Sequence, residues 1–330
     1  MSIMGKYIPP FVGRENVKHV VSVSGGKDSG ATYLLAMEAT GGDFMAVCAD
    51  TGNEHPDTLE YVSRLHERTG GPRVQIIKAD FSAELARKKA FLESGKPVSR
   101  SKNPWEQQRV DFVLEQGLEP TGIPFLDLCR FKGMFPSRKP AFCSQELKRI
   151  PLLVQVQQPL IDAGHHVWSW QGIRAEESAQ RACYPMWEQS PDAEGLTLFR
   201  PLMGWTVKDV AAMHRRHGLK LNPLYSLGFE RVGCLPCINS SKKDLRLVAG
   251  LFPWAVEKIR AWELEVRMVS REGVGTFFHQ TKTPKASGPV AIDEVVRWAK
   301  TRHGGKQYDM MAYFAPSTSS VCAYAGGLCE

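Results

Sequence analysis

Six residues near the N-terminus carry the densest chemistry in the chain: Ser24-Gly25-Gly26-Lys27-Asp28-Ser29. Two hydroxyls, an amine, a carboxylate and two glycines in one turn suit the capture of an anion. Glycines let backbone N–H groups come close to a ligand, and a helix starting in such a turn adds unpaired N–H groups and the positive end of its dipole. The chemistry implied is phosphate binding by the loop amides with Ser24, Lys27 and Ser29. Asp28 either reaches Mg2+ or braces the loop. The spacing is not Gly-x-x-x-x-Gly-Lys-Ser/Thr, so the turn is not a Walker loop.

Such a loop needs a strand before it and a helix after it. Residues 17–23 are apolar and β-branched, which predicts a buried strand, and 31–39 begin a helix. A second strand over 44–49 ends at Asp50-Thr51-Gly52, a helix follows over 57–69, and 74–77 make a third strand. Alternation at this spacing predicts an α/β fold: a parallel five-stranded sheet with helices on both faces and ligands at the carboxyl ends of the strands. The loop and Asp50-Thr51-Gly52 both fall at such ends. Asp50 can hold Mg2+ or a ribose, or cap a helix.

Residues 81–140 break the rhythm, with helical patterns over 81–95 and 105–116. Between and after them lie basic, Gly- and Pro-containing stretches with Lys96, Arg100, Lys102, Arg130, Lys132, Arg138 and Lys139. This insertion is either a basic lid or nucleic-acid contact, or a solvated surface loop. Further on, 143–163 are helical in pattern, 167–172 form a strand leading to Arg174, and Leu198 starts a short β unit. Thr206 caps a helix, and three more helices near 242–250, 252–272 and 290–302 precede a polar tail. The domains expected are a lead-in over 1–16, a main domain over 17–240, and a helical extension with a cysteine-containing tail over 241–330.

The chain has 330 residues and a net charge of +7. Its pI of about 8.9 is compatible with a nucleic acid or a nucleotide without choosing between them. No apolar run is long enough to span a bilayer and no signal peptide is visible, so a cytoplasmic protein with no membrane partner is expected. Its eight cysteines then read as thiols or metal ligands rather than disulfides. Cys234 and Cys237 form a Cys-x-x-Cys. With Cys143 they offer three soft ligands, and Cys322 or Cys329 is a possible fourth, with Cys129 as another. The set suits a [4Fe–4S] cluster, zinc, or no metal at all. Cys48 and Cys183 are expected to be buried apolar thiols, and His55, His165 and His166 to be structural.

The loop resembles the PP-loop, Ser-Gly-Gly-x-Asp-Ser, of the ATP pyrophosphatases. An ordered set of segments is similar to the phosphoadenosine phosphosulfate (PAPS) reductase superfamily: Asp50-Thr51-Gly52 with Pro56-Asp57-Thr58, Cys143-Ser-Gln-Glu-Leu-Lys148-Arg149-Ile-Pro151, Gly172-Ile-Arg174-Ala-Glu-Glu177-Ser178, Pro201-Leu-Met-Gly-Trp205-Thr-Val-Lys-Asp209, Asn222-Pro-Leu-Tyr225 and Gly233-Cys-Leu-Pro-Cys237. The resemblance covers about 17–240.

The resemblance implies an adenine nucleotide alpha hydrolase-like fold. It also implies a nucleotide site at residues 24–29 with Asp50, Thr51, Gly52, Gly172 and Arg174. Lys27, Asp28 and Arg174 would be the catalytic residues, with Arg174 stabilising the transition state or serving as a plain surface ion-pair former. Relatives divide into sulfonucleotide reductases, whose loop is degraded, and ATP-cleaving enzymes of DNA phosphorothioation and tRNA thiolation. The intact loop favours the second branch. It implies ATP and Mg2+ as cofactors, adenylation of an acceptor for sulfur incorporation, DNA or tRNA as partner, and a cysteine desulfurase as sulfur donor. One alternative is a reductase using Cys322 or Cys329 and thioredoxin. Another is a non-catalytic nucleotide-binding subunit of a nucleic-acid-modifying complex.

Overall fold

The computed structural model describes residues 16–99, 104–137, 141–278 and 290–301. The chain divides into two compact units: Met1–Ala79 with Glu146–Cys234, and Asp80–Gln145 with Leu235–Glu330.

The first unit is built on a six-stranded sheet. Its strands are β1 (Val17–Ser22), β2 (Met45–Ala49), β3 (Val74–Ile77), β4 (His166–Trp170), β5 (Trp187–Gln189) and β6 (Leu196–Phe199). The spatial order is β3-β2-β1-β4-β6-β5. Five strands run parallel, as the sequence predicts, and β5 returns antiparallel along β6. That sixth strand leaves little trace in the sequence, being three residues long with Trp187 exposed at the sheet edge.

Helices cover both faces, and the period-2 rule shows how. In β1, Val21 faces a cluster holding Tyr33, Leu34 and Leu35 of helix α1 (Lys27–Thr40) with Trp168 and Trp170. Its neighbour Val20 faces the opposite cluster, with Val47, Ile77, Val156 and Val167. The predicted helix over 57–69 is two helices, Pro56–Ser63 and Leu65–Thr69, broken at Arg64. The run predicted over 143–163 is continuous only with two widened turns, Gln145–Arg149 and Leu153–Gln157. Pro151 and Pro159 lack the N–H an α-helix requires, and the wider i→i+5 turns absorb the loss.

The second unit is helical: Ser82–Glu93, Lys96–Ser99, Gln107–Gln116, Pro124–Lys132, Lys242–Leu251, Pro253–Val269 and Ile292–Ala299. Leu85, Leu92, Val110, Val113 and Val269 form one of its clusters, and Phe125 stacks on Trp262 at 5.6 Å. The insertion is therefore not a solvated loop where the structure describes it. Its helix Pro124–Lys132 buries Arg130, whose guanidinium donates to the carbonyls of Glu119 and Gly117 at 2.6 and 3.2 Å. Arg100, Lys102, Arg138 and Lys139 lie outside the described residues. Among those described, no helix is long and apolar enough to cross a membrane.

Candidate functional site

Buried Val20, Val21 and Val23 carry the chain to Ser24 at the carboxyl end of the central strand β1. Gly25 then takes φ +77°, a conformation that favours glycine, and a Cβ there would lie 2.7 Å from Thr58 Cγ2. Gly26 is the N-cap of α1, at φ −81° and ψ 161°. A Cβ on Gly26 would meet nothing nearer than Ser24 Oγ at 3.5 Å. The two serine hydroxyls close the turn on itself: Ser24 Oγ donates to Ser29 Oγ at 3.1 Å, and Ser29 Oγ donates to the Gly26 carbonyl at 3.0 Å.

Asp28 gathers two cations. Arg174 Nε is 2.5 Å from its Oδ1, and Lys27 Nζ is 3.5 Å from its Oδ2. Of the two roles open to Asp28, the carboxylate is thus engaged in bracing the loop. Arg174 is only 5% exposed, which rules out a plain surface ion pair. Burial alone would lower its pKa, but the charge and hydrogen bond of Asp28, joined by Glu176 and Glu177, outweigh it and raise the value. Gly172 lets β4's extension pass against α1: a Cβ there would stand 2.9 Å from Asp28 C, Ser29 N and Thr32 Oγ1.

At the neighbouring strand end, Asp50 Oδ1 accepts from the Gly52 amide at 2.8 Å, and Oδ2 pairs with Lys78 Nζ at 2.9 Å. Gly52 takes φ +78°. Asp50 is not a helix cap. That role belongs to His55, whose Nδ1 accepts from the Asp57 amide at 3.1 Å. Thr51 donates its hydroxyl to Glu54 Oε1 at 2.8 Å and its amide to Oε2 at 3.0 Å. Cys234 Sγ lies 3.7 Å from both Thr51 Oγ1 and Glu54 Oε1. Glu54 is a member of this group that the motifs do not single out.

Two further residues grip the peptide of Lys27 from a segment about 190 residues away. The Lys27 amide donates to Tyr225 Oη at 3.0 Å, and its carbonyl accepts from His214 Nε2 at 2.7 Å. The donor role of His214 follows from its partner, since a carbonyl only accepts. Gly30 makes room for it, because a Cβ there would lie 2.8 Å from His214 Cε1. Asn222 orients the turn that carries Tyr225, accepting from the Leu224 amide at 3.0 Å and donating to Thr58 Oγ1 at 3.3 Å. The Asn222-Pro-Leu-Tyr225 segment signals Tyr225 without giving it a task. A lone histidine in a helical pattern carries no signal for His214.

The other cysteines divide by environment. Burial pushes the Cys48 thiol up to about 12 and raises Cys129 as well. Cys183, expected to be buried, is exposed at the end of the short surface helix Ala179–Ala182. Cys143, Cys234 and Cys237 are half-buried, and Cys237 Sγ accepts the Asn239 amide at 3.4 Å. Among the described residues, no three His, Cys, Asp or Glu side chains are gathered to hold a metal ion. Cys322 and Cys329 lie outside the described residues.

A mostly parallel α/β sheet with a Ser-Gly-Gly-Lys-Asp-Ser turn at the end of its central strand defines a nucleotide-domain architecture of the PP-loop kind. The chain belongs to the phosphoadenosine phosphosulfate reductase domain family, which matches residues 18–240. An uncharacterized 37.8 kDa protein of Escherichia phage 186 is 41% identical over 333 residues, covering 96% of this chain and 98% of that one. The adenosine 5'-phosphosulfate reductase of Allochromatium vinosum is 36% identical over 92 residues, which is 28% of this chain and 35% of that enzyme. Among solved structures, the U34-tRNA thiolase NcsA from Methanococcus maripaludis, with its [4Fe-4S] cluster, aligns over 90% of this chain and 86% of its own at 13% identity and a TM-score of 0.36.

Proposed function

We propose that the chain cleaves ATP between the α and β phosphates and adenylates a nucleic-acid acceptor for sulfur incorporation. The observation that carries this reading is the cap of α1. Gly26 starts the helix with no side chain to accept its first amides, so those donors are left for an anion beside Lys27. Arg174 positions the loop through Asp28.

In the reaction an acceptor oxygen attacks the α phosphorus of ATP. The bond to the bridging oxygen breaks, and its electron pair leaves with pyrophosphate. The loop amides and Lys27 stabilise the charge gathering on that leaving group. Mg2+ enters with ATP as the counter-ion of its phosphates. Asp28 and Asp50 are already engaged, by Arg174 and Lys27 and by Lys78 and Gly52, so no side chain is assigned to the ion. A sulfur nucleophile then displaces AMP from the acceptor. Family membership supports sulfur chemistry on an adenylylated group. Charge supports the acceptor class: Lys and Arg equal Asp and Glu in number in the first unit, so the net +7 lies in the second.

For Cys143, Cys234 and Cys237, a [4Fe–4S] cluster, with zinc as the alternative, is retained on donor chemistry alone. Iron, sulfide and zinc analysis of anaerobically purified protein tests it. About four irons, lost in Cys234→Ala, support the cluster, and metal-free protein removes it. The test of the main reading is pyrophosphate release from ATP with DNA or tRNA present, abolished by Lys27→Ala. Release of sulfite from adenylyl sulfate with thioredoxin and no ATP would replace it with the reductase reading. No pyrophosphate with any acceptor would reduce the site to nucleotide binding.

A further inference from the structure

The side-chain hydroxyls of Ser24, Ser29 and Tyr225 stand at the loop, and they differ in where their protons go. Ser24 gives its proton to Ser29, and Ser29 gives its own to the Gly26 carbonyl. Tyr225 is the exception. Its oxygen accepts the Lys27 amide, and among the described residues its own proton has no acceptor. The same oxygen would lie 3.6 Å from a Cβ on Gly26, at the cap of α1.

We propose that Tyr225 is a direct nucleotide contact whose hydroxyl bridges the Lys27 amide to a phosphate oxygen. The inference rests on the reading of the loop as an ATP site and adds to it a residue 198 positions away in sequence. An N–H that already points at an oxygen carrying a free O–H passes polarisation on to the next acceptor, so the pair acts as one extended donor. The geometry holds Tyr225 ready for this. His214 fixes the other end of the Lys27 residue, Lys27 Nζ lies 5.6 Å from the centre of the phenol ring, and Asn222 caps the turn that carries it. Burial, partly countered by the Lys27 amide, pushes the phenol up to about 12, so it keeps its proton as a neutral donor.

The test is calorimetric titration of Mg2+-pyrophosphate, and of ATP with a methylene group bridging its α and β phosphates, into wild type and Tyr225→Phe. Phenylalanine keeps the ring against Lys27 and removes only the hydroxyl. The dissociation constant should rise about tenfold or more, as expected for one hydrogen bond to a charged acceptor. Thermal unfolding, read alongside, should fall only by the loss of the one hydrogen bond from the Lys27 amide. An ultraviolet difference signal from the phenol should accompany pyrophosphate binding in wild type, which a purely structural tyrosine would not give, and this separates contact from scaffold. Equal affinity in the variant would overturn the contact while leaving the ATP reading intact. Tighter binding would also overturn it, by showing that the hydroxyl obstructs the anion. Failure of wild type to bind either ligand would instead overturn the ATP reading.

Discussion

Adding one methyl group at Gly26 and at Gly172 should separate binding from folding. At Gly26 the backbone suits alanine, and the new Cβ would sit 3.5 Å from Ser24 Oγ, 3.6 Å from Tyr225 Oη and 3.7 Å from the Val232 carbonyl. Replacing glycine restricts the unfolded chain, which stabilises by about 0.4–1 kcal/mol. Alanine is a poorer N-cap than glycine, which costs a similar amount, on the order of 1 kcal/mol. The two offset, and Gly26→Ala should fold within about 1 kcal/mol of wild type. Its effect falls on the ligand, because the methyl stands where an anion would approach the amide. Losing one charged hydrogen bond corresponds to about 1.5–3 kcal/mol, or roughly 10- to 100-fold in pyrophosphate affinity. At Gly172 the methyl would be 2.9 Å from Asp28 C and Ser29 N, backbone atoms that cannot turn aside. Overpacking of that kind costs about 1–3 kcal/mol and should lower the urea midpoint. Urea unfolding followed by circular dichroism, with pyrophosphate titration of each variant, reads both quantities. A Gly26→Ala protein that binds pyrophosphate like wild type would refute the argument that the glycine is kept for a ligand.

Three other outcomes follow from named contacts. Lys88 donates to the carbonyls of Arg130 and Val269 and, among the described residues, pairs with no carboxylate; burial, with Arg130 and Arg109 nearby, pushes it down to about 7. The unfolded chain therefore holds more protons than the folded one between about pH 7 and the ordinary lysine value near 10.4, so stability should rise with pH across that window. The buried thiols of Cys48 and Cys129 pull the other way above the ordinary thiol value in every variant, so the test is a difference: from about pH 7.5 to 9.5, thermal melts of wild type should gain stability relative to those of Lys88→Met, and equal shifts in the two would refute the role of Lys88. Asp28→Asn leaves the buried Arg174 guanidinium without its main partner, though the ion pair with Glu176 and the nearby charge of Glu177 remain. A loss of about 1–3 kcal/mol in urea unfolding is expected, and no loss would show that Asp28 does not hold Arg174 in place. Gly30→Ala would press a Cβ against His214 Cε1 at 2.8 Å and displace the ring from the Lys27 carbonyl. Its pyrophosphate affinity should fall together with its stability, and a fall in stability alone would make His214 a packing residue only.

What the sequence shows and hides here follows from distance along the chain. The first βα unit is legible because strand, turn and helix are contiguous, and Val20 and Val21 need no partner far away to declare a buried strand. The helix Pro124–Lys132 is hidden because its start at a proline and its end at Gly133 look like loop composition, while Arg130 looks like surface charge until its carbonyl partners appear. The site is hidden in the same way. Ser24 to Ser29 announce an anion cradle, but the groups that set its geometry come from residues 172 to 234, and each looks ordinary by itself. Glycine is informative when its reason is known. Gly25 is explained by φ, Gly172 and Gly30 by the atoms a Cβ would strike, and Gly26 by neither. Its place in the fold is the cap of α1, where serine or aspartate would accept one of the first helix amides and glycine accepts none. Those uncovered amides, at the end of the central strand and beside Lys27, are what point from the loop to a ligand.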